Sequence, residues 1–579
     1  KDRIGFMPQG LGLNLYPELT VEENIDFFAR LRLVSERELA ARKQQLLEMT
    51  RLEPFRDRSM NKLSGGMKQK LGLICTLIHE PELLILDEPT TGVDPVSRRD
   101  FWKILSDLVR VRKITALVTT AYMDEASRFH RVSLMYDGQV LAEGEPDQVS
   151  AMADGSVIML KSATQTQAIE TLRPVFPQVQ REGRWIRLFV DSADPTTAVE
   201  RVRAVLLNLP IDDIRSGDTE LEDAFTALLR HQGLTTLEAE ITREPDGNRT
   251  SSAHEMRCDG NTIAIETQEM TKSFGEFKAV DRVSFRVRQG EIFGLLGANG
   301  AGKTTVIKIL TGIMRASGGG GSVAGADLAR LGRAIKQRIG YVSQQFSLYT
   351  DLTVVENILL YAGIYGLRTS EARARCEWIC AMAGLRGNTD ERASNLPVGM
   401  RQRLALGCAL VHRPRVLFLD EPTSGIDPIG RQQFWKILYQ LSREEVVTIL
   451  VTTHYMSEPE HCDHLVLMHA GRLVADASPE KLKQEVEDEA GQILEIEISD
   501  ANLAIERLTA DGFRNPVMFG QHVHVWSKSI GRDMVRICDL LSVNRASVRV
   551  LDLSMDDVFV HRIRSLEQPV DASPVKASA

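Results

Sequence analysis

Residues 297–304 read Gly-Ala-Asn-Gly-Ala-Gly-Lys-Thr, a complete G-x-x-x-x-G-K-[ST] phosphate loop. An apolar run, Glu291-Ile-Phe-Gly-Leu-Leu296, precedes it, and a helix-like stretch, Thr304 to Leu310, follows. That strand–loop–helix context turns the pattern into a physical expectation. Gly297, Gly300 and Gly302, with Asn299 and Ala301 between them, let successive backbone N–H groups turn toward a polyphosphate. The helix opening at Lys303, Thr304 and Thr305 adds the partial positive charge of its N-terminus. Lys303 reaches the β/γ-phosphates and the Thr304 hydroxyl ligates Mg²⁺ in such loops. The chain is expected to bind a nucleoside triphosphate, ATP with Mg²⁺.

A loop of this kind needs a sheet behind it, and the chain is long enough for several domains. It has 579 residues, 43% hydrophobic and 26% charged, ordinary globular values. A net charge of −9 gives no sign of a broad nucleic-acid-binding surface, and no nucleic acid is expected as a partner. No apolar stretch of about 18 residues predicts a membrane span, and no secretory signal is visible. Seven scattered cysteines point to a reducing cytosol rather than a disulfide framework.

The chain repeats one large unit. Leu63-Ser-Gly-Gly-Met-Lys-Gln-Lys70 answers Leu396-Pro-Val-Gly-Met-Arg-Gln-Arg403. Leu86-Asp-Glu-Pro-Thr-Thr-Gly-Val-Asp94 answers Leu419-Asp-Glu-Pro-Thr-Ser-Gly-Ile-Asp427. Val118-Thr-Thr-Ala-Tyr-Met123 answers Val451-Thr-Thr-His-Tyr-Met456. Leu63 and Leu396, Leu86 and Leu419, and Val118 and Val451 each lie 333 positions apart. A fixed offset across three motifs means two tandem copies. After each copy a segment reads strand, helix, strand, strand, helix, strand, helix, at 155–228 and 492–563, which predicts a small split-βαβ appendix. In the first copy the earliest motif is Ile4-Gly-Phe-Met-Pro-Gln9, matching Ile339-Gly-Tyr-Val-Ser-Gln344. The second copy has some 80 residues, P-loop included, before that point, so the first reads as incomplete and the chain as N-terminally truncated. The expected division is 1–150 first ATPase domain, 151–235 appendix, 236–261 linker, 262–485 second ATPase domain, 486–564 appendix and 565–579 disordered tail.

These motifs, in this order, resemble the ATP-binding cassette (ABC) ATPases over nearly the whole chain. The fold implied is α/β: two P-loop cassettes in tandem, each followed by an α+β appendix. The resemblance implies that Asp420 holds Mg²⁺ and that Glu421 is the base for the attacking water. It implies that His454 contacts the γ-phosphate and positions Glu421. Gln344 would touch Mg²⁺ and the water, and Phe274, in Met270-Thr-Lys-Ser-Phe-Gly275, would lie under adenine. In this family the signature works in trans, so Ser64, Gly65 and Gly66, with Asp94, would face the P-loop around Lys303. In the second copy Pro397 and Val398 replace Ser64 and Gly65. Pro397 offers neither hydroxyl nor N–H, and Ala121 stands where His454 stands. Both departures fall in the same composite site, which implies one hydrolytic and one degenerate site.

The two-in-one layout with appendices is similar to drug-resistance exporter ATPases whose membrane subunits are separate ABC-2-type chains. It implies an ATPase on the cytoplasmic face of the inner (plasma) membrane, two permease subunits as partners, and pairing of the two cassettes within the chain. Two other readings compete with this one. A ribosome-associated tandem ATPase usually carries a long charged helical linker between cassettes. A purely regulatory nucleotide binder would not need Glu421 and His454. Among weaker signals, His461-Cys-Asp-His464 with His469 fits no standard zinc spacing. Cys376 and Cys380 are read as buried small residues on a helix over Glu371–Gly384. Ser317-Gly-Gly-Gly-Gly-Ser322 is read as a flexible turn.

Overall fold

A computed structural model describes residues 3–567 apart from 11, 13, 177, 183–184, 234–261, 331–332, 345–347, 454, 499, 514–515 and 520–521. The expected linker 236–261 and His454 therefore lie outside the described residues, as does the tail beyond Glu567.

The second cassette is built on a six-stranded sheet in the order Ile339–Val342, Val416–Asp420, Thr448–Thr452, Ile292–Gly297, His464–His469, Arg472–Ala477. The first five strands are parallel and the last is antiparallel. Val416-Leu-Phe-Leu-Asp420 is buried along its whole length, as a strand covered on both faces must be. One cover is the helix Lys303–Leu310, whose Val306, Ile307, Ile309 and Leu310 pack between Phe293, Phe418 and Leu450 and a second, antiparallel sheet that supplies Ile265, Val280 and Val323. The other cover is helical: Val354–Ile364, Thr369–Met382, Val398–Leu410 and Pro428–Arg443. Cys376 and Cys380 lie buried in that layer.

The glycine run corrects the sequence reading. Gly318–Val323 is a strand, paired on one side with Ile263–Phe274 and on the other with Ala326–Asp327. Its glycines serve close backbone approach: at Gly319, φ +72°, a Cβ would stand 2.2 Å from the Glu269 carbonyl oxygen.

The first cassette repeats the catalytic strands as a three-stranded parallel sheet, Ile4–Met7, Leu83–Asp87 and Thr115–Thr119. The duplication reaches individual hydrogen bonds. Thr20 and Glu23 form a capping box on Val21–Leu31, and Thr353 and Glu356 form the same box on Val354–Ile364. Asn24 donates its amide to the carbonyls of Tyr16, Leu19 and Thr20, and Asn357 to those of Tyr349, Leu352 and Thr353.

Each appendix is a four-stranded antiparallel sheet with two helices on one face. The strand orders are Gln178–Glu182, Trp185–Val190, Ser156–Lys161, Asp213–Gly217 and Val517–Phe519, His522–Ser527, Gln492–Glu497, Val548–Leu551. The closing helices belong as much to the cassettes. Phe225 and Leu229 of Leu221–His231 pack with Val132, Leu134 and Val149 of the first cassette. Val558, Phe559 and Ile563 of Met555–Glu567 pack in the helical core of the second. The helices Pro146–Ala151 and Pro479–Ala490 run across the 150/151 and 485/486 boundaries read from sequence, and Met555–Glu567 continues past residue 565. No helix among the described residues is long and apolar enough to cross a membrane.

Candidate nucleotide site

The P-loop turns at Gly302, the residue capping helix Lys303–Leu310, with φ +106° and a backbone so close to the Ala279 carbonyl that a Cβ would lie 2.3 Å from its oxygen. Lys303 is 5% exposed. Its ammonium donates to the carbonyls of Gly297 (2.6 Å) and Ala298 (3.2 Å). Burial lowers its pKa, opposed by the charges of Glu421, Asp420 and Asp94. Ala301 is buried, and its carbonyl accepts the Gly471 N–H at 3.1 Å. Thr305 follows on the helix, half-buried.

The carboxylates end strand Val416–Asp420. Asp420 is buried; it accepts the Thr452 hydroxyl at 2.7 Å and lies beside the Thr304 hydroxyl. Burial raises its pKa, while the Thr452 and Thr304 hydroxyls and Lys303 pull the other way. Glu421 turns out of the strand in a left-handed conformation, φ +54°, rare for a residue with a Cβ. The turn is held by its N–H, which donates to the Thr452 carbonyl and hydroxyl at 3.1 and 3.0 Å. Gln344 donates its amide to Glu421 Oε2 at 2.6 Å. Lys303, Thr304, Gln344, Asp420 and Glu421, gathered from three separate segments, thus share one cluster, in which Lys303, Asp420 and Glu421 are buried. Phe274 ends strand Ile263–Phe274, 50% exposed, with the Lys272 ammonium 5.3 Å from its ring centre.

The first copy closes this cluster from across the interface. Asn299 of the P-loop donates its side-chain amide to the Gly92 carbonyl at 2.8 Å. Asp94 is buried and caps helix Pro95–Arg112 by accepting the Ser97 N–H at 3.0 Å. A small cavity is lined by Gly92 and Tyr122 from one copy and by Glu421, Thr423, Ser424, Thr453 and Tyr455 from the other.

A family model described as "ABC transporter" matches residues 1–91 and 280–424. The chain is 40% identical over 497 residues, 84% of its length and 82% of the relative's, to the "Probable multidrug ABC transporter ATP-binding protein YbhF" of Escherichia coli K12. This chain belongs to the ABC transporter ATP-binding proteins. It is also 35% identical over 242 residues (42% of this chain, 77% of the relative) to the "Bacitracin transport ATP-binding protein BcrA" of Bacillus licheniformis. To the "Nod factor export ATP-binding protein I" of Paraburkholderia xenovorans LB400 it is 41% identical over 220 residues (38% and 72%). It carries two ABC cassettes, members of a family that binds and hydrolyses ATP.

In this ABC protein the first signature lies at the head of helix Gly65–Leu77. Exposed Ser64 caps the helix, its hydroxyl accepting the Met67 N–H at 3.3 Å. Gly66 packs against helix Pro95–Arg112 so closely that a Cβ would lie 2.3 Å from the Ser97 hydroxyl. Among the described residues Ser64, Gly65 and Gly66 make no hydrogen bond to the P-loop; Gly92 and Asp94 are the first-copy residues brought to it. Pro397 caps helix Val398–Leu410 with no side-chain hydrogen bond.

The first copy retains its carboxylate geometry. Gln9 donates to Glu88 Oε2 at 2.7 Å, the Thr119 hydroxyl donates to Asp87 at 2.5 Å, and Glu88 has φ +43°. Ala121 is half-buried at the place equivalent to His454.

Two interface features escape sequence reading. Tyr122 and Tyr455, directly after Ala121 and His454, stack on each other with ring centres 4.3 Å apart. The Arg98 guanidinium lies 5.1 Å from the first ring and that of Arg431 4.0 Å from the second. Their identity at the 333-position offset was the available signal. The His461–His464 segment is structural: His461 is half-buried against Trp435, its pKa pushed down to about 4 by desolvation, and His464 stacks on Phe293. Among the described residues no group of three or more His, Cys, Asp or Glu side chains is arranged to hold a metal ion.

Proposed function

We propose that this chain is the ATP-hydrolysing subunit of an exporter whose two membrane subunits are separate ABC-2-type chains, and that it works on the cytoplasmic face of the inner membrane. We read 1–150 and 262–485 as the cassettes and 151–235 and 486–564 as appendices that share their closing helices with them. The observation that carries the reading is the Asn299–Gly92 hydrogen bond, which joins the intact P-loop to the other copy's loop leading into Asp94.

The residues fit the substrate. Lys303 is a buried ammonium that donates to backbone carbonyls at one end of the cluster, a ready partner for β/γ-phosphates. The Thr304 hydroxyl, Asp420 carboxylate and Gln344 amide form a hard-oxygen donor set suited to Mg²⁺. Mg²⁺ would neutralise charge on the β- and γ-phosphate oxygens. Glu421, fixed by Gln344 and by its own strained turn, is placed to take the proton of the attacking water. His454 contacts the γ-phosphate, Phe274 stacks under adenine, and Ser64, Gly65, Gly66 and Asp94 approach from the first copy when the cassettes close.

Membrane fractionation of cells expressing the protein with and without ABC-2-type permease chains tests the assignment. Permease-dependent recovery with membranes and permease-stimulated ATPase activity, abolished by Lys303→Ala, is the expected result. Recovery with ribosomes would overturn the exporter reading.

A further inference from the structure

The helix Pro95–Arg112 of the first cassette is held at two places by the second half of the molecule. At its head, Gly92 and the capping Asp94 sit against the P-loop, with the Asn299 amide on the Gly92 carbonyl at 2.8 Å. Five residues further on, about 7.5 Å along the axis, Arg99 reaches the second appendix. Its guanidinium donates from Nε to Asp556 at 2.7 Å and from Nη2 to both Asp556 and Asp557, the latter at 2.8 Å. Asp557 is itself fixed, its other oxygen accepting from the Ser554 N–H and hydroxyl at 3.2 and 2.6 Å. The helix carrying both aspartates is anchored through Val558, Phe559 and Ile563 in the core of the second cassette. P-loop and aspartate pair therefore belong to one packed body, and helix Pro95–Arg112 spans between two points on it. One contact would leave the helix free to swivel. Two contacts separated along its axis fix how Asp94 is presented to Lys303.

The pseudo-symmetric mate is weaker. Helix Pro428–Arg443 of the second cassette meets the first appendix at Glu222, the counterpart of Asp556. Arg99 has Gln432 as its counterpart, a neutral amide beside Glu222, and Arg431 stands 3.7 Å from that carboxylate. The charged fork lies on the side of the intact P-loop, and a neutral amide replaces it on the side of Pro397 and Ala121.

We propose that Arg99, gripped by Asp556 and Asp557, is a positioning residue for ATP hydrolysis at Lys303, through which the second appendix sets the first cassette's Asp94 loop over the phosphates. This rests on the nucleotide-site reading above. Binding of ATP by the P-loop alone does not need the grip; turnover, which requires the apposed loop, does.

The test uses the protein in complex with its membrane subunits. Arg99→Gln, which copies the other half, should lower kcat about five- to twentyfold while KM for ATP stays within about twofold. Arg99→Lys, which keeps the charge and loses the fork, should recover at least about half of the lost log rate. Gln432→Ala should leave kcat within about twofold. A kcat unchanged in Arg99→Gln, a loss seen only as higher KM or in step with a lowered melting temperature, or an equal loss from Gln432→Ala would overturn the proposal. Glu421→Gln is measured in parallel: if it leaves turnover intact, the nucleotide-site reading itself fails, whatever Arg99 does.

Discussion

The two copies place the same side chains on the same strands and differ in what surrounds them. Gln344 on Glu421 and Gln9 on Glu88 are near-identical pairs, at 2.6 and 2.7 Å. Thr452 on Asp420 repeats Thr119 on Asp87, and both glutamates sit at positive φ. In the second copy Leu450, on strand Thr448–Thr452, is fully buried under the P-loop helix. The acid pair and its orienting glutamine are thus properties of three parallel strands. The phosphate grip is a property of the layer laid on top. A site needs both, plus a competent facing signature and a switch residue. In the proposed arrangement the Lys303 side combines P-loop, Glu421 and His454 with a serine-capped signature, and the other side pairs Glu88 with Ala121, Pro397 and Val398.

The largest expected contrast lies in the two bases. Glu421→Gln preserves size and the contact with Gln344 and removes the base, so turnover should fall by about 10²–10⁴ with nucleotide binding retained. Glu88→Gln should change it by less than about threefold. Equal losses in steady-state ATPase assays would break the comparison.

At the pseudo-twofold axis the halves should instead behave alike. Tyr122 and Tyr455 are both almost fully buried in one stack. Replacing either by Ala should cost about 2–4 kcal/mol of stability, and replacing either by Phe under about 1 kcal/mol. Denaturant titration checks this, and a large difference between the two alanine variants would mean that the stack is not shared equally.

The smallest effect separates the appendices. Glu495 accepts from His524 at 2.8 Å and from Arg549, while Met159 occupies the same register position between Arg187 and Arg215. Burial acts to raise the Glu495 pKa, but the two hydrogen bonds outweigh it and bring it down to about 2 from an ordinary 4.5. A depressed carboxylate stabilises the fold above its unfolded pKa and loses that contribution as pH falls through the folded one. Glu495→Gln should therefore lower the melting temperature at pH 7, with the gap closing between about pH 4.5 and pH 2. Met159→Gln should show no such pH dependence. A gap for Glu495→Gln that persists at pH 2 would contradict the assignment.

Much of this was legible in the sequence. The P-loop between an apolar strand and a helix, the acid pair after Val416–Leu419, and the constant 333-position offset were enough to place two cassettes and two appendices. What escaped depends on partners far along the chain. The strand nature of Gly318–Val323 comes from a neighbour that tolerates no Cβ at Gly319. The closing helices read as appendix because their apolar faces give no hint of which core they enter. The Asn299–Gly92, Arg99–Asp556 and Tyr122–Tyr455 contacts span 207 to 457 positions and leave no local periodicity. The strain at Glu421 is equally silent, because any residue type can be forced into that turn when the surrounding hydrogen bonds require it.

The central claim is that hydrolysis at Lys303 uses the first copy's signature in trans. Ser64→Asp tests it with little disturbance to folding, since Ser64 is exposed and Asp caps a helix as well as Ser does. The added carboxylate would meet the γ-phosphate with like charge. Gly66, packed onto Ser97, would confound the same test. The measurement is kcat of Ser64→Asp against Pro397→Asp in the protein with its membrane subunits, alongside equilibrium ATP binding. The account predicts that Ser64→Asp loses at least about tenfold in kcat with ATP affinity within about threefold, and that Pro397→Asp stays within about threefold of the parent. A greater loss from Pro397→Asp would contradict it and reverse the assignment of active and degenerate sites.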